Sequence, residues 1–271
     1  MTPAAGGTAP GTQDEPRDSH LVQSFQRGLD VIRAFDGEHP TMTLSEVARA
    51  TGLARAAARR FLLTLVELGY LRVEDRRFRL TPRVLELGQA YLAGLSLPDL
   101  ALPLMRDFVA EKRESASLAV LDGDEIVYVA HVTASRIMSV AVGVGTRDPA
   151  VTTSLGRVLL AGQPDEWLED YLANVELVRL TERTITSRAA LAKELQVIRE
   201  QGWSMVDQEL EEGVCALAAP IHDAAGDVIA SVNVAVNASR WTREEMREQL
   251  LPELLEIATQ IDRDARASRT S

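Results

Sequence analysis

The sequence has almost no cysteine, the residue on which disulfides and many structural zinc sites depend. Cys215 is the only cysteine in 271 residues. An intrachain disulfide is therefore excluded, and a cysteine-based zinc site lacks its ligands. We expect neither a structural metal nor a cofactor.

Long apolar runs are also missing. No uninterrupted stretch approaches the roughly 20 apolar residues that cross a bilayer. Residues 1–20 have neither the basic start nor the apolar centre of a signal peptide. The sequence thus predicts a cytoplasmic protein without a membrane segment. Because residues 1–20 are rich in glycine, proline, alanine and threonine, we predict that they form a disordered tail.

Sequence signatures of enzymes are absent as well. There is no Gly-x-Ser-x-Gly elbow, no lysine-containing phosphate-binding loop and no His-Glu-x-x-His motif. His131 and His222 lie at the ends of predicted strands, where a structural role is the simpler interpretation. Asp207 and Glu209 could form a carboxylate pair, but no nucleophile is near them in the sequence. We predict no catalytic residue, and a hydrolase or isomerase remains an alternative.

Lysine is missing from one segment, whose charge differs from that of the rest of the chain. Residues 21–83 contain eleven arginines, no lysine and seven acidic residues, so they carry +4. The whole chain has a net charge of −11, which leaves −15 for the remainder. Such asymmetry indicates a polyanion-binding module attached to an acidic one. The length also favours two domains, because single cores usually stop growing at about 250 to 300 residues.

The arginine-rich segment begins with the pattern of two helices around a turn. The first helix begins near Ser24 and ends before the glycine and proline of residues 36–40. Thr43 and Glu46 then form a capping box that opens a second helix, which Gly52 closes. This order predicts the first half of a helix-turn-helix unit.

A third helix, 53–68, is predicted to bury one face and to expose arginines on the other. At about 100° per residue, the buried stripe consists of Leu53, Ala57, Phe61, Thr64, Leu65 and Leu68. Arg55 and Arg59 lie opposite this stripe, and a hairpin with a basic turn follows. Arginines presented in this way can pair with guanine edges or phosphates in a major groove. The predicted DNA-contacting residues are Arg55, Ala56, Ala57, Arg59, Arg60, Arg76 and Arg77. An amphipathic surface helix with solvated arginines is the alternative.

The rest of the chain has the pattern of an antiparallel sheet with helices on its faces. "SLAVLDGDEIVYVAHV" predicts a hairpin and "RIMSVAVGVG" a third strand. Three more strands are predicted at "WSMVDQEL", "CALAAPIHD" and "VIASVNVAV". Helices are predicted at about 153–161, 165–173, 187–201 and 242–265. This order indicates the α+β fold class.

Four segments resemble the IclR family of bacterial transcriptional regulators: "SFQRGLDVIRAF", "LSEVARATGLARAAARRFLLTLVELGYL", "FRLTPRVLELG" and "GTRDPAVTTSLGRVLLAG". The run "GLARAAARRFLLTL" is most similar to the branch that controls protocatechuate, 4-hydroxybenzoate and β-ketoadipate catabolism. The resemblance implies a winged helix-turn-helix joined by a linker helix to a GAF-like sensor domain. Most of the family has Ser-Thr where this chain has Ala56 and Ala57, so two hydroxyl contacts to DNA are not expected.

The resulting domain organisation has four parts. A disordered tail at 1–20 precedes a winged helix-turn-helix domain at 21–83, a linker helix at 84–97 and an effector-binding domain at 98–271. The resemblance implies that the linker helix pairs with a partner chain, and palindromic operators favour two-fold symmetry. The expected partners are double-stranded operator DNA, a small aromatic or dicarboxylic acid, and further copies of the chain in a homodimer or dimer of dimers.

The predicted effector site centres on the loop 143–154 and the helix N-terminus after it. Free N–H groups and the positive end of the helix dipole favour an anion there, and Arg136 and Arg147 could hold a carboxylate. The resemblance adds residues on later strands, among them Asn233, which could bind a ring hydroxyl. Ala216 stands where the family often has cysteine. The full set is Arg136, Met138, Arg147, Thr153, Ser154, Gly156, Asp207, Cys215, Ala216 and Asn233.

Two alternatives remain for this second domain. The arginines could simply pair with the many acidic residues around them. The protein could also be a ligand-independent DNA-binding or adaptor protein, which predicts a filled core in the second domain. A ligand-responsive protein requires a cavity there.

Overall fold

The computed structural model describes residues 22–93, 97–134 and 142–268. They belong to two compact units, Met1–Tyr91 and Leu92–Ser271. The predicted tail 1–20, the candidate ligand residues Arg136 and Met138, and most of the predicted strand around them lie outside the described residues. Among the helices that the structure describes, none is long and apolar enough to cross a membrane.

The first unit is a winged helix-turn-helix. Its helices are α1 (Gln23–Arg33), α2 (Leu44–Ala50) and α3 (Arg55–Glu67), followed by α4 (Leu85–Ala93), which begins in this unit. Its strands are β1 (Met42–Thr43), β2 (Leu71–Glu74) and β3 (Arg77–Leu80), which form one antiparallel sheet in the order β1-β3-β2. The short strand β1 was not predicted.

Local sequence signals position α2 and the hairpin as expected. The Thr43 side chain accepts a hydrogen bond from the Glu46 N–H, and the Glu46 carboxylate accepts one from the Thr43 N–H, which completes the capping box. Asp75 and Arg76 connect β2 to β3 with φ angles of 49° and 63°. Two consecutive left-handed residues are the signature of a type I′ turn, whose twist matches that of the hairpin strands.

The buried side of α3 differs from the predicted stripe. Ala58, Leu62 and Leu65 are the buried residues of this helix, and Leu62 and Leu65 join the core formed by α1, α2 and the hairpin. Thr64 is exposed and so is Leu68, at 51%. Leu65 was predicted correctly, and the predicted Leu53 and Phe61 are half-buried against the same core. The prediction was wrong for Thr64 and Leu68, because contacts with the flanking helices and the hairpin decide which side of α3 is covered.

The second unit contains a six-stranded antiparallel sheet in the order β6-β5-β4-β9-β8-β7. Its strands are β4 (Ser115–Asp122), β5 (Glu125–Val132), β6 (Arg147–Pro149), β7 (Ser204–Asp207), β8 (Val214–His222) and β9 (Val228–Asn237). Its helices are α5 (Leu97–Lys112), α6 (Ser154–Ala161), α7 (Asp165–Asn174), α8 (Arg188–Gln201), α9 (Arg243–Glu245) and α10 (Leu251–Ser268). The antiparallel sheet with helices on its faces confirms the α+β fold class.

Each face of this sheet is covered by its own helices. One core includes Leu118, Leu217 and Val234 together with residues of α5 and α10. The core on the opposite face includes Ala119 and Ala218 with residues of α6 and α8. Successive strand residues point to opposite faces, so each central strand contributes to both cores.

Two local features depart from the predicted elements. Strand β6 pairs with β5 inside the stretch 143–154, which was predicted as a loop. The C-terminal helical segment begins after Thr242, as predicted, with a capping box to Glu245. A π-helical turn at Met246–Leu250 separates α9 from α10. A register change of this kind leaves no clear trace in the hydrophobic spacing.

Candidate functional site

The first unit presents an exposed basic surface on α3. Arg55, Ala56, Arg59 and Arg60 are exposed, while Ala57 is half-buried. Arg55 donates a hydrogen bond to the Ser45 hydroxyl of α2. Within the described residues, Arg59 and Arg60 form no hydrogen bond or ion pair with another side chain, so both guanidinium groups are available to a ligand.

The two arginines of the wing turn differ in their surroundings. Arg76 lies at the tip of the hairpin, is exposed and adopts the left-handed backbone conformation. Arg77 instead donates hydrogen bonds to the Thr41 hydroxyl and carbonyl, and its Nη2 lies 3.4 Å from the Glu46 carboxylate. Arg77 therefore ties the hairpin to the start of α2, and its contact with DNA stays a prediction.

The exposed surface of α3 suits a DNA duplex. Its arginines lie in the N-terminal half of the helix, which is the part of a recognition helix that reaches base edges. Alanine at position 56 leaves room for close approach of the backbone. A guanidinium can form two hydrogen bonds with guanine O6 and N7 or contact a phosphate. Arg59 and Arg60 are the side chains best placed for these contacts.

The second unit contains a cavity of about 370 Å³. It lies between the sheet face that carries α6 and the segments around it. Its lining is Ser115, Ser117, Tyr128, His131, Thr133, Val142, Asp148, Thr152, Thr153, Ser154, Val206, Leu210, Glu211, Val214, Ala216, Asn233 and Ala235. No lysine or arginine is among these described lining residues. The lining combines an apolar wall with neutral polar groups and two acids.

Cross-strand pairing explains which residues form the cavity floor. Ala235 pairs with both Ser115 and Ala216, and Ala216 pairs with Val206, so these small side chains lie in one row. Paired residues point to the same face of a sheet. Small residues in a row leave space that larger ones would fill. The cavity therefore follows directly from the serine, alanine and valine at these register positions.

The N-terminus of α6 forms one polar end of the cavity. Thr153 caps the helix by accepting a hydrogen bond from the Gly156 N–H at 3.0 Å. Ser154 is 1% exposed, and within the described residues its hydroxyl has no hydrogen-bond partner. The first N–H groups of a helix lack intrahelical acceptors and carry partial positive charge. This end of the cavity is suited to a carboxylate.

Gly156 contributes to this site through packing. A Cβ atom at this position would lie 2.2 Å from the Ala150 carbonyl oxygen. Glycine therefore lets the turn Ala150–Thr152 lie directly against the first turn of α6. Gly156 is not part of the cavity lining, so the structure gives it this packing role and its ligand contact stays a prediction.

Tyr128 and Asp148 form a second polar group in the lining. The Tyr128 hydroxyl donates to the Asp148 carboxylate at 2.9 Å. Burial raises the pKa of Tyr128, and the negative charge of Asp148 raises it further. Burial also raises the pKa of Asp148, which outweighs the lowering by the Tyr128 hydrogen bond. The pair places a hydrogen-bond acceptor, rather than a cation, beside the ligand space.

Besides Gly156, three predicted ligand residues lie outside the cavity lining. Arg147 forms ion pairs with Asp122 at 2.7 Å and with Glu125 at 2.6 Å. This pairing agrees with the alternative prediction, in which the arginines pair with acidic residues. Asp207 and Cys215 are cross-strand partners. They point to the sheet face opposite Val206 and Ala216, and the cavity lies on the face of Val206 and the predicted residue Ala216.

Asp207 and Cys215 form a polar contact of their own. The Cys215 thiol donates to the Asp207 carboxylate at 3.0 Å, and Arg183 forms an ion pair with the same carboxylate. Burial and the hydrogen bond to Asp207 raise the pKa of Cys215 to about 12. Burial opposes ionisation of Asp207, but the hydrogen bonds and nearby arginines outweigh it and lower the pKa. The thiol is therefore protonated and unreactive at neutral pH.

A buried ion pair links α6 to the segment that follows β7. The Arg157 guanidinium donates two hydrogen bonds to the Glu209 carboxylate, at 2.8 and 2.6 Å. Arg157 also donates to the Val151 carbonyl, and Glu209 accepts from the Ile185 N–H. Leu210 and Glu211, immediately after Glu209, line the cavity. The pair thus fixes one wall of the cavity relative to another.

Most of the polar residues in the cavity lining were not predicted from the sequence. The predicted residues Thr153, Ser154, Ala216 and Asn233 all lie in the lining. The unpredicted polar residues of the lining are Ser115, Ser117, Tyr128, His131, Thr133, Asp148, Thr152 and Glu211. The alternation of serine with apolar residues at the start of β4 was an available signal, because it indicates one strand face that is polar and small.

Together these two surfaces define a class of protein. A winged helix-turn-helix with free arginines and a sheet domain with a lined cavity, in one chain, are the parts of a ligand-responsive DNA-binding regulator. Residues 24–75 match the IclR helix-turn-helix domain, and residues 89–263 match the C-terminal domain of bacterial IclR transcriptional regulators. The chain belongs to the IclR family of transcriptional regulators. This membership identifies a regulator rather than an enzyme.

Individual relatives cover most of the chain. It is 41% identical to the Pca regulon regulatory protein of Pseudomonas putida, over 88% of this chain and 82% of the relative. A crystal structure of a Rhodococcus sp. RHA1 transcriptional regulator has a TM-score of 0.82 at 51% identity, over 90% of this chain and 98% of that one. The structure of an IclR homologue from Microbacterium hydrocarbonoxydans, complexed with 4-hydroxybenzoate, has a TM-score of 0.79 at 27% identity. The match covers 90% of this chain and 99% of that one.

Proposed function

We propose that this regulator binds an aromatic carboxylic acid in the cavity of its second unit and that binding changes its affinity for operator DNA. The observation that carries the proposal is the cavity of about 370 Å³ with the α6 N-terminus at one end. An adaptor without a ligand would be expected to fill this space. The similarity to a Pca regulon regulator and to a homologue complexed with 4-hydroxybenzoate supports the ligand class and a role in aromatic catabolism.

The charges of the lining favour an aromatic monoacid over a dicarboxylic acid. One carboxylate can be held by the α6 N–H groups and the Ser154 hydroxyl. A second carboxylate would meet no lysine or arginine among the described lining residues, and it would lie near Asp148 or Glu211. Ring carbons can instead contact the apolar wall, which includes Val142, Val206 and Val214.

In this proposal the protein acts on double-stranded operator DNA in the cytoplasm as a homodimer or dimer of dimers. Arg59 and Arg60 of α3 contact DNA, with Arg76 at the wing. Val22, just before α1, and Phe25 and Leu29 of α1 are exposed apolar residues that are available for subunit pairing. Leu85, Leu87 and Tyr91 of α4 are also exposed. A two-fold arrangement would match a palindromic operator.

Binding linkage tests the regulatory part of this proposal. The full chain is titrated calorimetrically with 4-hydroxybenzoate, 3,4-dihydroxybenzoate and adipate, each with and without an operator duplex selected from a random pool. Linkage requires that the acid and the operator change each other's affinity by one factor, commonly about 5- to 150-fold. Equal acid affinities with and without the duplex would refute the regulatory coupling. Preferential binding of adipate would refute the aromatic assignment.

A serine variant tests where the carboxylate lies. Ser154→Ala should weaken binding of the acid by about 10-fold or more, because a hydrogen bond to a charged group contributes about 1.5–3 kcal/mol. Ser204→Ala is the matched control, since the Ser204 hydroxyl is also buried without a partner in the described residues but does not line the cavity. Equal effects of the two substitutions would contradict the assignment.

A further inference from the structure

Three polar side chains form a second row across the cavity floor. Ser117 of β4 is the cross-strand partner of His131 in β5 and of Asn233 in β9. All three therefore lie side by side on the same sheet face, with adjacent strands about 4.8 Å apart, and all three line the cavity. The neighbouring row contains Ser115, Ala235 and Ala216 and is smaller and less polar.

The hydrogen bonds within this row leave specific atoms for a ligand. The Asn233 Oδ1 accepts the Ser117 N–H at 3.0 Å, so its NH₂ group is left as a donor. The Ser117 hydroxyl and the His131 Nδ1 are 3.0 Å apart. Within the described part of the chain, neither the Asn233 Nδ2 nor the His131 Nε2 has another hydrogen-bond partner. The row is thus internally fixed but has unused polar atoms in the cavity.

His131 is suited to a neutral polar group of the ligand. Burial lowers the pKa of its imidazole, so the ring is neutral at pH 7. A neutral imidazole has one donor and one acceptor nitrogen, and the Ser117 hydroxyl can rotate to match either arrangement. The pair can therefore accept a hydrogen bond from a hydroxyl group or donate one to it. It offers no positive charge that would compete with α6 for the carboxylate.

We propose that the His131–Ser117 pair, assisted by the Asn233 amide, binds a ring hydroxyl of the effector and selects hydroxybenzoates over benzoate. This inference rests on the proposed function, because it assumes that the cavity holds an aromatic acid with its carboxylate at α6. The two parts of the lining then have different roles. The α6 end binds the group that all these acids share, and the His131–Ser117 pair distinguishes among them.

The physical basis of selection is the cost of unpaired buried groups. A site that hydrogen-bonds a substrate hydroxyl discriminates against the analogue without it, because the polar groups of the site then lose their partner. A buried polar group left without a partner costs about 1–3 kcal/mol, which corresponds to about a 5- to 150-fold change in affinity. We expect the best hydroxybenzoate to bind wild-type protein about 10-fold or more tightly than benzoate.

The test compares pairs of acids on the same variants. Calorimetry of the full chain with benzoate, 3-hydroxybenzoate, 4-hydroxybenzoate and 3,4-dihydroxybenzoate gives the affinity ratio of each hydroxybenzoate to benzoate. Ser117→Ala and His131→Leu should reduce the ratio of hydroxybenzoate to benzoate affinity to about threefold or less. The affinity of each variant for benzoate should stay within about threefold of the wild-type value. His131→Gln, which retains a donor and an acceptor, should restore part of the preference.

Val206→Ala is the matched control. Val206 lines the cavity from the neighbouring row and has no polar atom in its side chain, so its truncation should affect benzoate and hydroxybenzoates equally. Thermal melts establish whether each variant is folded. If His131→Leu does not fold, the affinity ratio of Ser117→Ala alone decides the test.

The outcomes separate the two proposals. An unchanged affinity ratio, or equal weakening of benzoate and hydroxybenzoates in Ser117→Ala, would overturn the hydroxyl assignment. Equal binding of all the acids by wild-type protein would also overturn it but would leave the effector site intact. Absence of binding by every acid would instead refute the proposed function itself.

Discussion

Breaking the ion pair between Arg157 and Glu209 should destabilise the second unit more than most single substitutions. The two side chains are 1% and 10% exposed. Arg157→Met leaves the Glu209 carboxylate buried without its cation, and such uncompensated charges cost about 3–5 kcal/mol. Glu209→Leu has the corresponding effect on Arg157. At about 2–4 °C per kcal/mol for a domain of this size, either variant should melt about 6–20 °C below wild type.

The double variant provides the decisive comparison. Arg157→Met with Glu209→Leu removes both charges, so the large electrostatic penalty disappears. The Ile185 N–H still loses the acceptor that Glu209 provides, and an unsatisfied buried donor costs about 1–3 kcal/mol. The double variant should therefore be more stable than either single variant. A loss equal to the sum of the two single losses would refute this account of the pair.

Intrinsic fluorescence can follow this unit separately. The three tryptophans, Trp167, Trp203 and Trp241, all lie in the unit Leu92–Ser271. Urea titrations monitored by tryptophan emission therefore report its unfolding without a contribution from the winged helix-turn-helix. Equal slopes of the free energy of unfolding against urea in all four proteins would support a direct comparison of stabilities.

Two further predictions concern DNA recognition and pH. If Arg59 contacts a base, Arg59→Ala should weaken binding to a selected operator by about 1–3 kcal/mol and binding to random DNA by much less. Equal losses of binding free energy in titrations of both duplexes at fixed salt would indicate a phosphate contact. Burial lowers the pKa of His131 below its ordinary 6.5, so the unfolded chain binds the extra proton first. The stability contributed by neutral His131 should be complete above about pH 6.5 and fall as the pH decreases towards the folded pKa. His131→Asn should reduce the loss of melting temperature between pH 7.5 and 5.5, and an unchanged loss would contradict this origin.

Much of the fold was predictable because its signals are local. The Thr43–Glu46 capping box and the two-residue turn at Asp75–Arg76 depend on neighbours in sequence. The strand β1 and the rotation of α3 towards Ala58 and Leu62 were not predictable in this way. Both depend on contacts with distant elements, and those contacts override the local pattern.

The candidate site was harder to predict than the fold. Thr153 and Ser154 could be proposed from the helix N-terminus alone, and the structure places both in the cavity lining. Placing Val206 rather than Asp207 in the cavity lining required the register of β7, because a shift of one residue reverses the sheet face. The His131–Ser117 pair depends on the pairing of β4 with β5. The position of His131 at the end of a predicted strand suggested only a structural role and did not indicate this pairing with Ser117.

The alternation of faces along β4 and β9 also has an evolutionary consequence. Leu118 and Val234 belong to the core beneath α5 and α10, whereas the adjacent Ser117 and Asn233 line the cavity. Substitutions at every second position can therefore alter the shape and polarity of the cavity without changing the residues that pack the opposite core. Changes of ligand preference can then accumulate one residue at a time while the fold is maintained. A single sheet architecture could in this way supply regulators for many different small acids.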